Sequence, residues 1–586
     1  MPEIFQPPGQ QNEDAAAAQS ASATAAQSSA RPIRDLADSY VRELAELNPL
    51  LSTRLGLRPG EDRLPDLSPS GYQARDELAR ATLARLDSVG GAAESDGDER
   101  RCGRLLRERL GAGLALSEAG EHFREISNIF GPPQQVRGTF LLMPAASPED
   151  WAAISRRMRR VPDALGGYRE SLAEGVRRGL FAAPRQVQTV TGQFDEWLAA
   201  AGGRGWFADF AGQADVPAPL RADLDTSASD AATAVAALRA WLREEYLPQA
   251  AGTPDGMGAD RYLIWARRST GAHLDLADTY AWGWSQFREL REEIEREARG
   301  VLPGASVQEA MRYLDEHSEA VEGVDEIRAR LQRMLDDAVA DLDGTHFDLA
   351  ERVKAVEARI APAGSAAAPY YTPPTQDFSR PGRTWLPTLG RTRFPVWSLV
   401  SVWYHEGVPG HHLQLAQWTN LADQLSTFQT SAGGVSACSE GWALYAERLM
   451  DELGYLTAEG ARLGFLDAQL MRAIRVVVDI GMHLELEVPA DSPIGAGQTW
   501  TPELAQEFFG AHSAQSSAFV ASEIVRYLSA PGQAISYKLG ERAWLAGREA
   551  ARAAHGAEFD LKSWHMSALS LGALGLNDLA DELARI

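Results

Sequence analysis

The stretch Tyr404-His405-Glu406-Gly407-Val408-Pro409-Gly410-His411-His412-Leu413-Gln414 places three of the chain's 11 histidines and a glutamate between positions 405 and 412. An apolar run from Phe394 to Trp403 precedes it and a helix-compatible run follows. Imidazole and carboxylate at this density are rarely needed to build a core. A helix that carries His-Glu, with a second His about two turns on, can offer two neutral imidazoles to a divalent metal. The glutamate beside them can then act as base for a metal-activated water. The stretch predicts a metal-dependent hydrolase, first of all a zinc peptidase.

The spacing departs from His-Glu-x-x-His, whose histidines share a helix face at i and i+4. Here the i+4 position is Pro409, which binds no metal. Inside a helix, proline removes a donor and clashes with the carbonyl four residues back, that of His405 itself. The helix must kink or bulge. Unbroken, at about 100° per residue, it would return His412 nearly to the face of His405 and turn His411 away. A local bulge adding two residues would put His411 there instead, and Gly410 tolerates the irregular backbone. His411 is the favoured ligand and His412 the alternative. A kinked core helix whose histidines only hydrogen-bond is the competing structural account.

A catalytic zinc site usually takes three protein ligands and keeps one position open. The best third candidate lies in Ser439-Glu440-Gly441-Trp442-Ala443-Leu444-Tyr445-Ala446-Glu447-Arg448-Leu449, a helical pattern after the small, polar segment at 430–436. Glu440 falls near the start of that helix, where a carboxylate also suits the helix dipole. Glu447, seven residues on and on the same face, is either a partner behind the ligands or an intrahelical mate for a basic neighbour.

Together, His-Glu-x-x-Pro-Gly-His-His and Ser-Glu-Gly-Trp-Ala-Leu-Tyr resemble the bacterial domain-of-unknown-function family 885, which is grouped with the zincin-like metallopeptidases of the glutamate-ligand (gluzincin) type. The resemblance extends to Tyr370-Tyr371-Thr372-Pro373-Pro374, Ser379-Arg380-Pro381-Gly382 and Arg475-Val476-Val477-Val478-Asp479-Ile480-Gly481-Met482-His483. It ends in Arg526-Tyr527-Leu528-Ser529-Ala530-Pro531-Gly532-Gln533-Ala534-Ile535-Ser536-Tyr537-Lys538-Leu539-Gly540. It implies a largely helical metallopeptidase-like fold, with His405, His411 and Glu440 as metal ligands and Glu406 as general base. The residues read on their own lead to the same four.

Hydrolysis at a metal centre develops negative charge on the former carbonyl oxygen, so a donor should face the metal. His483, Tyr537 and Arg526 are the candidates. His483 follows Asp479 by four residues, so a carboxylate can set its tautomer; a purely structural histidine is the alternative. Tyr537 lies one helical turn beyond Gln533, which could bind a substrate amide. Arg526 and Lys538 could hold a substrate carboxylate, Arg526 also having Glu523 three residues back as an ion-pair mate. The segment 370–383 is aromatic and proline-rich, and as an edge strand it could bind extended peptide, with Tyr371 the candidate contact.

Composition bounds the rest. With 586 residues, 45% of them hydrophobic, the chain can bury a large core. No apolar run approaches the roughly 18 residues of a membrane span, so no membrane partner is expected. A net charge of −24 argues against nucleic acid, whose binders present a basic face. Cys102 and Cys438 are too few for a disulfide framework, and Cys438 is read as a small buried residue. Residues 1–31 are rich in Ala, Gln and Ser and are expected to be a disordered tail. They lack the basic start and apolar core of a secretory signal, which makes the cytoplasm the default expectation. Helical patterns follow at 32–47, 100–118, 151–180, 231–246 and 280–299, with a Gly/Ala/Ser-rich break at 88–98.

These observations predict a mainly α-helical, zincin-like metallopeptidase fold with a small β element near the metal-binding helix. Residues 32–350 form a helical first half and 351–586 the metal-site half. The expected activity is hydrolysis of short peptides with one divalent ion, zinc before manganese, iron or cobalt. An amidase acting on a non-peptide metabolite is the alternative within the class. A non-catalytic binding protein is the alternative outside it, and such a protein would have no need of Glu406. The sequence carries no signal of oligomeric state.

Overall fold

The computed structural model describes residues 31–93, 96–361 and 368–586. Apart from Arg31, the expected tail lies outside the described residues. The chain is mainly α-helical, and its short strands all precede His405: β1 (Ala320–Glu322), β2 (Val356–Ile360), β3 (Tyr370–Thr372), β4 (Gly382–Leu386) and β5 (Arg393–Pro395). β4 lies between β2, to which it is parallel, and β3, to which it is antiparallel. β1 and β5 form a separate antiparallel pair.

The helix Pro32–Leu47 spans the expected residues and buries Ile33, Leu36, Ala37, Tyr40 and Val41, one stripe at helical period. Asn48-Pro49 stops it, since the residue before proline leaves the helical region. The break expected at 88–98 is shorter than its composition implied. The helix Pro69–Ala93 runs on through Gly90 and Gly91, and the next begins at Gly97, capped by the Asp96 carboxylate on the amides of Asp98 and Glu99. Two glycines cost a helix only about 1 kcal/mol each, which tertiary packing can override. Conversely, the pattern at 151–180 divides into Pro148–Met158 and Val161–Arg177. Pro162 would clash with the carbonyl of Met158 in a continuous helix.

One apolar core joins both ends of the sequence, holding Ile33 and Leu105 together with Leu331, Trp403 and Trp442. A second lies within residues 67–250. A third wraps the helices Leu276–Val301 and Ala461–Leu484. Among the described residues no helix is long and apolar enough to cross a membrane.

The proline does more than bulge a helix. The helix Val400–Glu406 ends, residues 407–410 form a turn with a cis Val408–Pro409 bond, and a new helix runs from His411 to Asn420. The Gly410 amide donates to the Tyr404 carbonyl at 3.0 Å, a span of six residues where an α-helix uses four, so the turn does insert two residues. Gly410 has no room for a side chain: a Cβ there would lie 2.0 Å from the His405 carbonyl oxygen. Gly410→Ala is expected to distort the turn and destabilise the fold by several kcal/mol, of the order of other steric overpacking or more, measured by urea denaturation.

Candidate metal centre

The turn carries His405 and His411 toward the helix Ser436–Glu452, which supplies Glu440. His405 Nε2 and His411 Nε2 each lie 3.4 Å from Glu440 Oε2. Among the described residues these are the one group of His, Cys, Asp or Glu whose donor atoms could jointly hold a metal, all within 4.8 Å of one another. Glu406 Oε1 is 4.0 Å from His405 Nε2. Glu440 Oε2 and His411 Nδ1 are buried without a hydrogen-bond partner.

Neighbouring helices lock this arrangement. Glu447 Oε1 accepts from His405 Nδ1 at 2.7 Å, which fixes the ring with Nε2 turned toward Glu440. The other Glu447 oxygen takes the Ser401 hydroxyl, and Arg472 stands 3.3 Å from Oε1. Glu447 thus pairs with His405, Ser401 and Arg472 on other helices rather than with a basic neighbour on its own. Trp442 donates its indole N–H to the carbonyls of Pro409 and Gly410 at 2.9 and 3.1 Å, tying the Glu440 helix to the turn. Glu447→Ala is expected to weaken metal retention about 10- to 100-fold, read by competition with a chromogenic chelator.

Electrostatics set the protonation states. Burial pushes the Glu406 carboxyl up to about 8, with the His411 imidazole pulling the other way. Burial also opposes charge on Glu440, but its two imidazole neighbours outweigh it and hold this carboxyl well below the usual range. For His405, burial works against the imidazolium while Glu440 and Glu447 favour it and prevail. The cluster thus has one carboxyl that readily takes a proton beside one that does not.

The helix Ser536–His555 meets the Glu440 helix glycine to glycine. A Cβ on Gly441 would lie 2.4 Å from Gly540 Cα, so only glycine allows this approach. It brings Tyr537, one turn before Gly540, into the field of Glu440; burial and that carboxylate keep the phenol protonated. The Arg475 guanidinium stacks on the Tyr537 ring, 4.5 Å from its centroid, and donates to Tyr527 Oη at 3.0 Å and Glu523 at 2.9 Å. Arg526 holds Glu523 with two bonds of 2.8 and 2.7 Å and donates to Gln533 Oε1. Gln533 Nε2 lies 3.5 Å from Ser436 Oγ, at the head of the Glu440 helix. Tyr537, Gln533 and Arg526 therefore form one group beside the cluster.

Other candidates fall elsewhere. His412 does not turn to the cluster: its Nε2 meets the Val353 carbonyl at 2.6 Å and its Nδ1 meets Tyr371 Oη at 2.9 Å, so both nitrogens are occupied. Tyr371 sits on edge strand β3 as expected, but its hydroxyl serves His412 rather than standing free for substrate. Lys538 is 1% exposed and bonded to Gln469 at 2.9 Å and to Glu541, so its ammonium is unavailable to a substrate carboxylate. His483 is fully buried, donates to the Tyr527 carbonyl at 3.1 Å and stands 3.7 Å from Asp479, beyond a hydrogen bond. It lies eleven residues beyond Arg472 on one helix, roughly 16 Å along the axis, which takes it away from Glu447 and the cluster. Asp479 instead accepts from the Tyr262 hydroxyl and the Gly532 amide.

Arg472, Arg475 and Trp442 hold the site together in roles that the motifs did not assign to them. The arginines did leave a signal, two charges three residues apart inside the apolar run from Leu470 to Val478, a placement that burial tolerates only with partners.

Two solved structures share the fold. A candidate lipoprotein from Colwellia psychrerythraea superposes with a TM-score of 0.80 at 21% identity, covering 94% of this chain and 98% of that one. A candidate lipoprotein of unknown function from Shewanella oneidensis gives 0.69 at 17% identity, covering 94% and 99%. No curated protein matches the chain. The model of the family described as bacterial protein of unknown function (DUF885) matches residues 49–583, so the chain, with its two-histidine, one-glutamate cluster, belongs to that family.

Proposed function

We propose that the protein is a divalent-metal-dependent peptidase of the zincin type, acting on short peptides. The observation that carries this reading is the convergence of His405 Nε2, His411 Nε2 and Glu440 Oε2, with Glu406 at their side. A tetrahedral zinc with bonds of about 2.0–2.1 Å would set its ligand atoms about 3.3 Å apart; the two histidine nitrogens stand 3.4 Å from the glutamate oxygen. The buried, unpartnered Glu440 Oε2 fits the same donor role.

A divalent ion held there supplies a Lewis acid that polarises a carbonyl and acidifies water. Glu406, beside the three donors, accepts the proton of the attacking water on a carboxylate oxygen. It then returns that proton to the leaving nitrogen. Glu447 keeps the His405 proton on Nδ1 and so keeps Nε2 available to the ion. Tyr537, held by Arg475, donates its hydroxyl proton toward the developing oxyanion. Gln533, its oxygen fixed by Arg526, offers its N–H group to a substrate carbonyl.

Metal content by mass spectrometry, with cleavage of a mixed peptide library, tests the reading. About one ion per chain with defined peptide products is expected. Metal without peptide cleavage would move the activity to a non-peptide amide, and a chain that retains no metal would overturn the proposal.

A further inference from the structure

A cavity of about 420 Å³ lies apart from the metal cluster. The Glu121–Phe123 turn, the head of the Pro184–Gly203 helix, residues 253–258 and the end of the Ala461–Leu484 helix enclose it. None of His405, Glu406, His411 and Glu440 lines it. Small-ligand pockets run from about 300 to 1,000 Å³, and one water occupies only about 30 Å³.

The wall holds polar groups that the protein itself leaves unused. Gln186 is 4% exposed, yet neither its Oε1 nor its Nε2 has a hydrogen-bond partner. Asp255 gives one oxygen to Arg185 at 3.0 Å and leaves the other buried and unpartnered. Burial pushes the Glu125 carboxyl up to about 7. Buried polar groups are paired in more than about nine cases in ten, so an amide orphaned at both ends in one lining with a half-used Asp255 carboxylate and the Glu125 carboxyl marks a place for a ligand. The charge is also one-sided. Glu121, Glu125, Asp255 and Glu485 face the cavity against Arg124 and Arg261, and both guanidiniums are already committed to Glu121, at 2.8 and 2.9 Å.

We propose that this cavity binds the amino-terminal end of a short peptide, its ammonium directed to the Glu125 and Asp255 carboxyls and its first peptide group to Gln186. An ammonium brings three donors and no acceptor, which suits two carboxyls. A peptide group brings one N–H and one C=O, the complement of the Gln186 amide. One contact leads from the cavity toward the Glu440 helix: Pro531 lines the cavity, and Gln533, two residues on, reaches Ser436 at the head of that helix. If the bound peptide is also the substrate, a step that rests on the peptidase reading, cleavage falls at a fixed distance from the free amino end.

The test separates binding from turnover by using full-length Glu406→Gln protein. Trialanine and N-acetyl-trialanine are titrated calorimetrically against it and against the same protein carrying Gln186→Leu or Glu125→Gln, with folding checked by circular dichroism and thermal unfolding. Saturable binding of trialanine is expected, weakened at least tenfold by acetylation and by either added substitution. Should Gln186→Leu fail to fold, the near-isosteric Glu125→Gln carries the comparison. Equal affinity for both peptides, affinity unchanged in the folded variants, or no saturable binding, in which case the cavity holds water only, would each overturn the proposal. Acetylation-sensitive binding without any cleavage by wild type would remove the peptidase reading and keep this one. Cleavage indifferent to acetylation would do the reverse.

Discussion

Glu406→Gln is expected to lower kcat by about 10²- to 10⁴-fold, the contribution of a positioned general base, while metal content stays near that of wild type. The two effects separate because Glu406 is not one of the three converging donors; its Oε1 stands 4.0 Å from His405 Nε2. An amide of the same shape keeps the packing of this buried position but cannot take a proton from water. Removing a buried carboxyl whose ionisation burial opposes should leave stability unchanged or slightly raised at neutral pH. Steady-state kinetics, metal analysis and a urea melt on one preparation check all three expectations. A variant that kept wild-type turnover would eliminate Glu406 as the base.

The second large effect distinguishes adjacent histidines. His411→Ala should abolish tight metal binding, since it removes one of two imidazoles and leaves only two of the three protein ligands that a catalytic site takes. His412→Ala should retain the metal and lose stability instead, by about 1–3 kcal/mol, because the Val353 carbonyl and the Tyr371 hydroxyl lose their common partner in a buried setting. Metal content and urea midpoints of the two variants should therefore move in opposite columns. Loss of metal from both, or from His412→Ala alone, would displace the assignment of His411.

Several features of the site were legible before any coordinates. His405 and Glu406 are adjacent, and the proline at i+4 already ruled out a regular helix and pointed to an insertion of two residues. Glu440 and Glu447 lie seven apart, a spacing that a helix converts into one face, and the structure brings both to His405. The helix Pro32–Leu47 followed from its apolar period and its flanking prolines. Each of these rests on contacts within a few turns of chain, where backbone geometry alone fixes direction.

The structure had to decide whatever depended on a second element. Lys538 and Tyr537 are neighbours in sequence, yet one is tied to Glu541 and Gln469 while the other stands in the field of Glu440. That division follows from the rotation of their helix, which the Gly441–Gly540 contact sets. Asp479 and His483 have the spacing of a catalytic pair, but Tyr262 and Gly532 claim the carboxylate and the helix carries His483 away from the metal cluster. Residue types and their spacing along each helix already limited which side chains could hold a metal. Which of them meet was decided by close packing between helices far apart in the chain, because local periodicity orients a side chain on its own helix and says nothing of the helix opposite.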